Sequence, residues 1–225
     1  MSDSRITTPT AGMTTAAEPL APAAAPVAEA AVADPAPLGL AGFAMTTMVL
    51  SVVNAGLMNA AIAPTVLGLA LFYGGGTQFF AGMWEFRRGN TFGAVAFSSY
   101  GAFWLSYWFL ATFSLRAVPI GQIHSAVGIY LLGWTIFTAY MTMGALRVSG
   151  AVTAVFALLT LTFLFLTIGA FGSTVPATSS WTKIGGWLGL ATAAAAWYTS
   201  FAAVTNSTWK RTVLPTWPMP ATGRS

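Results

Sequence analysis

Charge is nearly absent from most of this chain, and where it occurs its spacing is one that a bilayer sets. After Asp34 no charged residue appears for 50 positions, until Glu85. Beyond Arg88 the uncharged runs are 27 residues to Arg116, 30 to Arg147, 35 to Lys183 and 26 to Lys210. A helix needs roughly 20 apolar residues to cross the hydrocarbon core. The first run therefore holds two spans joined by a turn near Asn59–Pro64, and each later run holds one. The six spans are expected at about Leu38–Met58, Ala63–Trp84, Thr91–Ser114, Ile123–Leu146, Gly150–Ala170 and Ile184–Thr205. The runs are continuous rather than alternating, so helices are expected and a barrel is not.

The positive charges give an orientation. With six spans both termini lie on one side, and Arg5, Arg87, Arg88, Arg147, Lys210, Arg211 and Arg224 share it, leaving only Arg116 and Lys183 opposite. That asymmetry puts both termini in the cytoplasm. The expected fold class is thus an all-α membrane protein, a six-helix transmembrane bundle in the cell membrane. Composition agrees: 6% of the 225 residues are charged, against roughly 25% in soluble domains. The net charge of +4 is dispersed between apolar runs, which suits lipid and not nucleic acid. Residues 1–33, rich in Ala, Pro and Thr, read as a disordered cytoplasmic tail. Residues 34–209 form the membrane domain and 210–225 a second cytoplasmic tail.

The first span carries an unusual face. Phe43, Thr47, Ser51 and Asn54 recur at spacings of four, four and three, a row on one side of a helix. One aromatic followed by three small polar side chains suits the wall of a narrow path for a small solute, or alternatively hydrogen bonds between packed helices. In the second span Gly74-Gly75-Gly76 would cost roughly 1 kcal/mol each relative to alanine, so they must allow a bend or a close backbone approach. Gln78 follows on the face of Gly74, Ala81 and Glu85 and is the best polar candidate there. Glu85, beside Arg87 and Arg88, reads as one partner of an ion pair at the membrane interface. Tyr100, Trp104 and Tyr107 recur on one side of the third span, and the Tyr100 hydroxyl needs a partner. Phe156, Leu159 and Phe163 make a bulky row in the fifth. Gly185 and Gly189 in the sixth stand at a spacing that suits tight helix contacts.

No catalytic or nucleotide-binding motif and no metal-ligand cluster is present, and the chain has no cysteine. No enzyme activity, cofactor or metal is expected. The two lysines lie at or outside span ends, so a Schiff base within the bundle is not available, and no carboxylate lies mid-membrane.

From Asp34 to Pro215 the chain resembles the acetate uptake transporters, the succinate–acetate permeases of bacteria and their fungal relatives. The resemblance is carried by Pro35-Ala36-Pro37-Leu38-Gly39-Leu40, Met45-Thr46-Thr47, Phe72-Tyr73-Gly74-Gly75 with Gln78, Gly89-Asn90-Thr91-Phe92-Gly93, Ser99-Tyr100-Gly101 with Phe103-Trp104-Leu105, and Arg211-Thr212-Val213-Leu214-Pro215. Asp34 departs from the Asn with which the first motif normally begins. The resemblance implies a protomer similar in fold to proton-gated urea channels, assembled as a homohexamer with a pore through each subunit. It implies an apolar constriction formed by Phe43, Tyr100 and Leu159, with Thr47, Ser51, Asn54, Gln78 and Trp104 along the substrate path.

An apolar neck suits a small acid that has lost its charge. Taking a carboxylate out of water costs several kcal/mol even after relaxation. Protonating it first, with a carboxyl pKa near 4.3, costs roughly 3.7 kcal/mol at pH 7. Acetate moving with a proton is therefore the expected substrate, and succinate, which must be neutralised twice, is disfavoured. A channel for ammonia or a small amide such as urea is the rival expectation, since an apolar neck passes neutral solutes generally. A scaffold or sensor without transport is a further rival, which a polar row aimed into a bundle does not suit.

Overall fold

The computed structural model describes residues 32–172 and 179–220. The tail expected at 1–33 therefore lies outside the described residues but for its last two positions. Every regular element described is helical, and an isolated antiparallel bridge joins Ser149 to Pro218. The α-helices are α1 (Ala36–Asn54), α2 (Val66–Leu71), α3 (Gln78–Arg87), α4 (Thr91–Thr112), α5 (Ile123–Ala145), α6 (Gly150–Phe171) and α7 (Ser180–Trp209). A 3-10 turn, Ala60–Thr65, leads into α2, and a π-helical turn, Phe72–Thr77, joins α2 to α3.

Local chemistry sets the boundaries. Asp34 Oδ1 accepts the backbone N–H of Ala36 at 3.1 Å, just ahead of α1, whose N-cap position is Pro35 without a side-chain cap. After α1 the chain turns at Gly56, where φ is +77°, and Asn59 caps the 3-10 turn through Ala61 N–H at 2.8 Å. Gly89, at φ +73°, turns α3 into α4, and Asn90 caps α4 through Gly93 N–H at 3.1 Å. Ser149 caps α6 through Val152 N–H. α7 runs about a turn beyond the expected span at each end. Lys183 does not stop it, because its alkyl stem lies along Gly56 while a lysine head can reach outward to water.

Among the described residues, five stretches are long and apolar enough to cross a membrane: Ala36–Asn54, Ala60–Arg87, Ile120–Ala145, Gly150–Phe171 and Ser180–Trp209. The stretch expected as the third span, now α4, is not among them. Its 22 residues are uncharged and would extend about 33 Å, but Ser98, Ser99, Tyr100, Ser106 and Tyr107 lower its hydropathy.

Around the bundle, α5 packs on α6, α6 on α7, α7 on α1, α1 on the π turn and α3, and α3 on α4. Between α4 and α5 the backbones stay apart and aromatic rings fill the gap. Phe103 stacks on Tyr130 at 5.9 Å and meets Trp134 edge-on at 5.1 Å. Elsewhere backbones approach closely. A Cβ on Gly186 would strike the Asn54–Ala55 peptide, and Gly189 abuts Ser51 and Thr162. The small-residue spacing of α7 therefore serves contacts within the protomer, to α1 and α6. Threonine pairs join α5 to α6, Thr135 with Thr167 at 3.0 Å and Thr142 with Thr160 at 2.8 Å. In a membrane such contacts hold helices together, since lipid supplies no hydrophobic drive between them.

One end of the bundle is tied shut by the chain termini of the described part. Arg88 bonds Asp34 across α3 and α1, and Ser200 of α7 donates to Pro37 O at 2.7 Å. Residues 213–219 fold back over the start of α6. Asn206 Oδ1 accepts Val213 and Leu214 N–H and its Nδ2 donates to Leu214 O. Gly150 N–H donates to Trp217 O at 2.8 Å, and Tyr198 bonds Pro215 O at 2.7 Å. Phe92 at the start of α4 meets Gly144 at the end of α5, so α4 begins at this same end.

Candidate functional site

Two cavities lie inside the bundle, of about 250 Å³ and 20 Å³, and Phe43 and Leu159 line both. Three helices agree on where the boundary falls. On α1 the larger cavity is lined by Thr47, Ser51 and Asn54, beyond Phe43, and the smaller by Leu40, before it. On α6 it is Thr162 and Phe163 against Val155 and Phe156, with Leu159 between. On α4 it is Phe103, Trp104 and Tyr107 against Ala96 and Phe97, with Tyr100 on the small side. Phe43, Tyr100 and Leu159 thus stand at one level, each buried, and the rings of Phe43 and Tyr100 lie 5.8 Å apart. The larger cavity extends to Asn54, Leu115, Ala170 and Thr182, the opposite end of the bundle from the tied termini. No charged side chain lines either cavity.

The helical row on α1 is placed as a row. Phe43, Thr47 and Ser51 are buried, Asn54 is half-buried, and all four face the larger cavity. Thr47 Oγ1 is buried without a hydrogen-bond partner, so the alternative of glue between helices does not hold for it. Trp104 Nε1 is likewise buried and unpartnered. Gln78 faces the smaller cavity with its Oε1 unpartnered, and it is 1% exposed. A buried polar atom left without a partner costs about 1–3 kcal/mol, so three of them gathered along two adjoining cavities is a departure from ordinary packing.

The glycine run is explained by close approach. It forms the π turn, and Gly74 sits against Thr46 of α1 and Trp104 of α4, where a Cβ would lie 2.9 Å from Trp104 Cδ1. Gly74, lacking a Cβ, leaves room for the Trp104 indole beside the π turn, and Trp104 lines the larger cavity. Reciprocally, Gly42 of α1 lies against the Tyr73 carbonyl. π turns are frequent at functional sites.

Two features were missed by sequence reasoning. Glu85 pairs with Arg88 as expected, but its side chain is fully buried. Its Oε2 accepts from Asn90 Nδ2 at 2.9 Å and lies 3.8 Å from Arg88, whose closer partner is Asp34. The second is Thr138 of α5, whose Oγ1 accepts the Tyr100 hydroxyl at 2.9 Å. The need for such a partner was visible in the sequence, but its identity among the threonines of α5 was not.

The geometry defines a class: an all-helical membrane protein with two adjoining internal cavities, neither lined by a charged side chain, that share Phe43 and Leu159. The sequence pattern of the GPR1/FUN34/yaaH family matches residues 16–221, and the chain belongs to that family. It is 39% identical over 186 residues to the succinate-acetate/proton symporter SatP of Escherichia coli K12, covering 81% of this chain and 94% of that protein. It is 41% identical over 193 residues to the ammonia transport outward protein 2 of Saccharomyces cerevisiae, covering 82% of this chain and 66% of that longer protein. The solved structure of the bacterial acetate channel SatP superposes with a TM-score of 0.74 at 38% identity, over 83% of this chain and 99% of that one. With five apolar spans and these relatives, the chain is a multi-pass membrane protein.

Proposed function

We propose that this protein carries acetate and other small monocarboxylates across the cell (plasma or inner) membrane, as the neutral acid or together with a proton, with succinate a poorer substrate. The observation that carries this reading is a pair of adjoining cavities, neither lined by a charged side chain, that share Phe43 and Leu159. In this reading Phe43, Tyr100 and Leu159 form the constriction. Thr47, Ser51, Asn54 and Trp104 offer polar atoms on one side of it, and Gln78 on the other. A carboxylate would lose its hydration at the neck with nothing to replace it, whereas the acid form loses far less. The naming of SatP as a succinate-acetate/proton symporter and as an acetate channel supports the assignment.

The architecture proposed with it is six spans with both termini in the cytoplasm, a membrane domain at 34–209 and tails at 1–33 and 210–225. α4 supplies the sixth span. It starts where α3 and α5 end and finishes beside the mouth of the larger cavity, a course in keeping with a crossing. The protomer is proposed to assemble as a homohexamer, and to be a transporter and no enzyme.

Reconstitution in liposomes with labelled acetate at fixed total concentration tests the function. Above the carboxyl pKa the neutral fraction grows tenfold for each pH unit of acidification, so uptake should climb steeply as pH falls. Uptake that ignores pH would overturn proton-linked passage. The second reading, ammonia passage, is favoured by the named yeast relative. Ammonia or urea flux that acetate fails to compete, with no acetate uptake, would establish it instead.

A further inference from the structure

We infer that Thr138 is a positioning residue that holds the Tyr100 hydroxyl out of the neck, so that a solute there meets only ring and hydrocarbon surface. The inference rests on the neck proposed above. Its basis is the direction of two hydrogen bonds. Thr138 Oγ1 lies 2.7 Å from Trp134 O and 2.9 Å from Tyr100 Oη. A carbonyl oxygen only accepts, so the single proton of Thr138 goes to Trp134. Thr138 can then only accept from Tyr100, and the phenol proton is committed toward α5.

Position agrees with direction. Tyr100 lines the smaller cavity, while Thr138 lines neither cavity and is fully buried. The ring is fixed from three helices, with centroid distances of 5.8 Å to Phe43, 5.5 Å to Phe137 and 5.9 Å to Phe156. None of these neighbours titrates.

The consequence is a matter of specificity. A phenol proton turned into the neck would donate to a carboxylate, and hydrogen bonds to charged groups are roughly twice as strong as neutral ones. It would lower the barrier for the anion more than for the acid. Thr138 removes that donor. Gln78 Oε1, unpartnered on the small-cavity side, remains as an acceptor for the hydroxyl of a neutral acid.

The test compares the pH profile of labelled acetate uptake in liposomes for wild type, T138S, T138V, Y100F and T138V/Y100F. In T138V the freed hydroxyl should raise uptake at the alkaline end relative to the acidic end, flattening the profile by about tenfold. T138S, which keeps the acceptor, should follow the wild type. The T138V change should vanish when made in the Y100F background. A T138V profile parallel to wild type, or the same flattening in T138V/Y100F as in T138V alone, overturns the inference. A Raman difference spectrum, wild type minus Y100F, reads the Tyr100 phenol without any transport. It should show a hydrogen-bond donor, and a phenol that accepts or stands free overturns the inference even where T138V fails to fold. Wild-type liposomes without acetate uptake would instead sink the proposed function, and the spectrum would still decide the role of Thr138.

Discussion

At the scale of single residues, side-chain size would set the proposed neck. Phe43 of α1 and Leu159 of α6 line both cavities and are 4% and 3% exposed. Neither makes a polar contact that a shorter side chain would break. Phe43→Ala or Leu159→Ala therefore removes bulk from the boundary between the cavities without stranding a hydrogen-bonding group. One methylene in a fitted apolar site is worth roughly 10- to 200-fold in discrimination. The ratio of butyrate to acetate uptake should rise by at least about tenfold in either variant, with acetate uptake retained. An unchanged ratio in both would remove these two side chains from the neck. Competition by unlabelled acids of increasing length gives the same ratio in whole cells.

At the scale of elements, the π turn is the joint between α1, α4 and the helix that carries Gln78. Its three glycines are unequal. A Cβ on Gly74 would lie 2.8 Å from Thr46 Cβ and 2.9 Å from Trp104 Cδ1, and one on Gly75 would meet Leu105 at 2.8 Å. One on Gly76 would meet only the Leu71 carbonyl, at 3.4 Å. Gly74→Ala should destabilise the protein by about 1–3 kcal/mol, the range for overpacking, and should lower acetate uptake by displacing Trp104. Gly76→Ala should be neutral or stabilising, by up to about 1 kcal/mol from helix propensity. Thermal melts in detergent with uptake measured alongside would show both, and equal effects at the two positions would count against this account of the turn. The glycine run was legible as an anomaly inside an apolar stretch, but a wide turn and a bend look alike in a sequence. The α1 row was legible because i, i+4 spacing is enough to put Phe43, Thr47 and Ser51 on one face. Thr138 was not, since Thr135, Thr138 and Thr142 all recur at helical spacing and only tertiary packing says which one meets Tyr100. The burial of Glu85 escaped for a related reason. Its neighbours in sequence are Arg87 and Arg88, whereas its cover is Asn90 and Gly93 at the start of the next helix.

At the scale of the whole molecule, the number of crossings decides which compartment each cavity serves. The charge spacing argues for six, and α4 is the span on which the count turns. If α4 crosses, the start of α1 and the end of α7 share a side, and the larger cavity opens toward the other. If α4 does not cross, the parity changes and the two ends would have to part, against the bond from Ser200 near the end of α7 to Pro37 O at the start of α1. The course of α4 favours the crossing, because Gly93 near its start sits on Glu85 while Leu110 and Ala111 near its end line the cavity together with Asn54 and Thr182. The chain has no cysteine, so single cysteines report position without background. Ala33, Thr212 and Gly121 are all exposed. In intact cells a membrane-impermeant thiol reagent should label Gly121→Cys and spare Ala33→Cys and Thr212→Cys, and lysis should expose all three. Labelling of only one of positions 33 and 212 from outside would mean an odd number of crossings, and would exclude α4 as the sixth span.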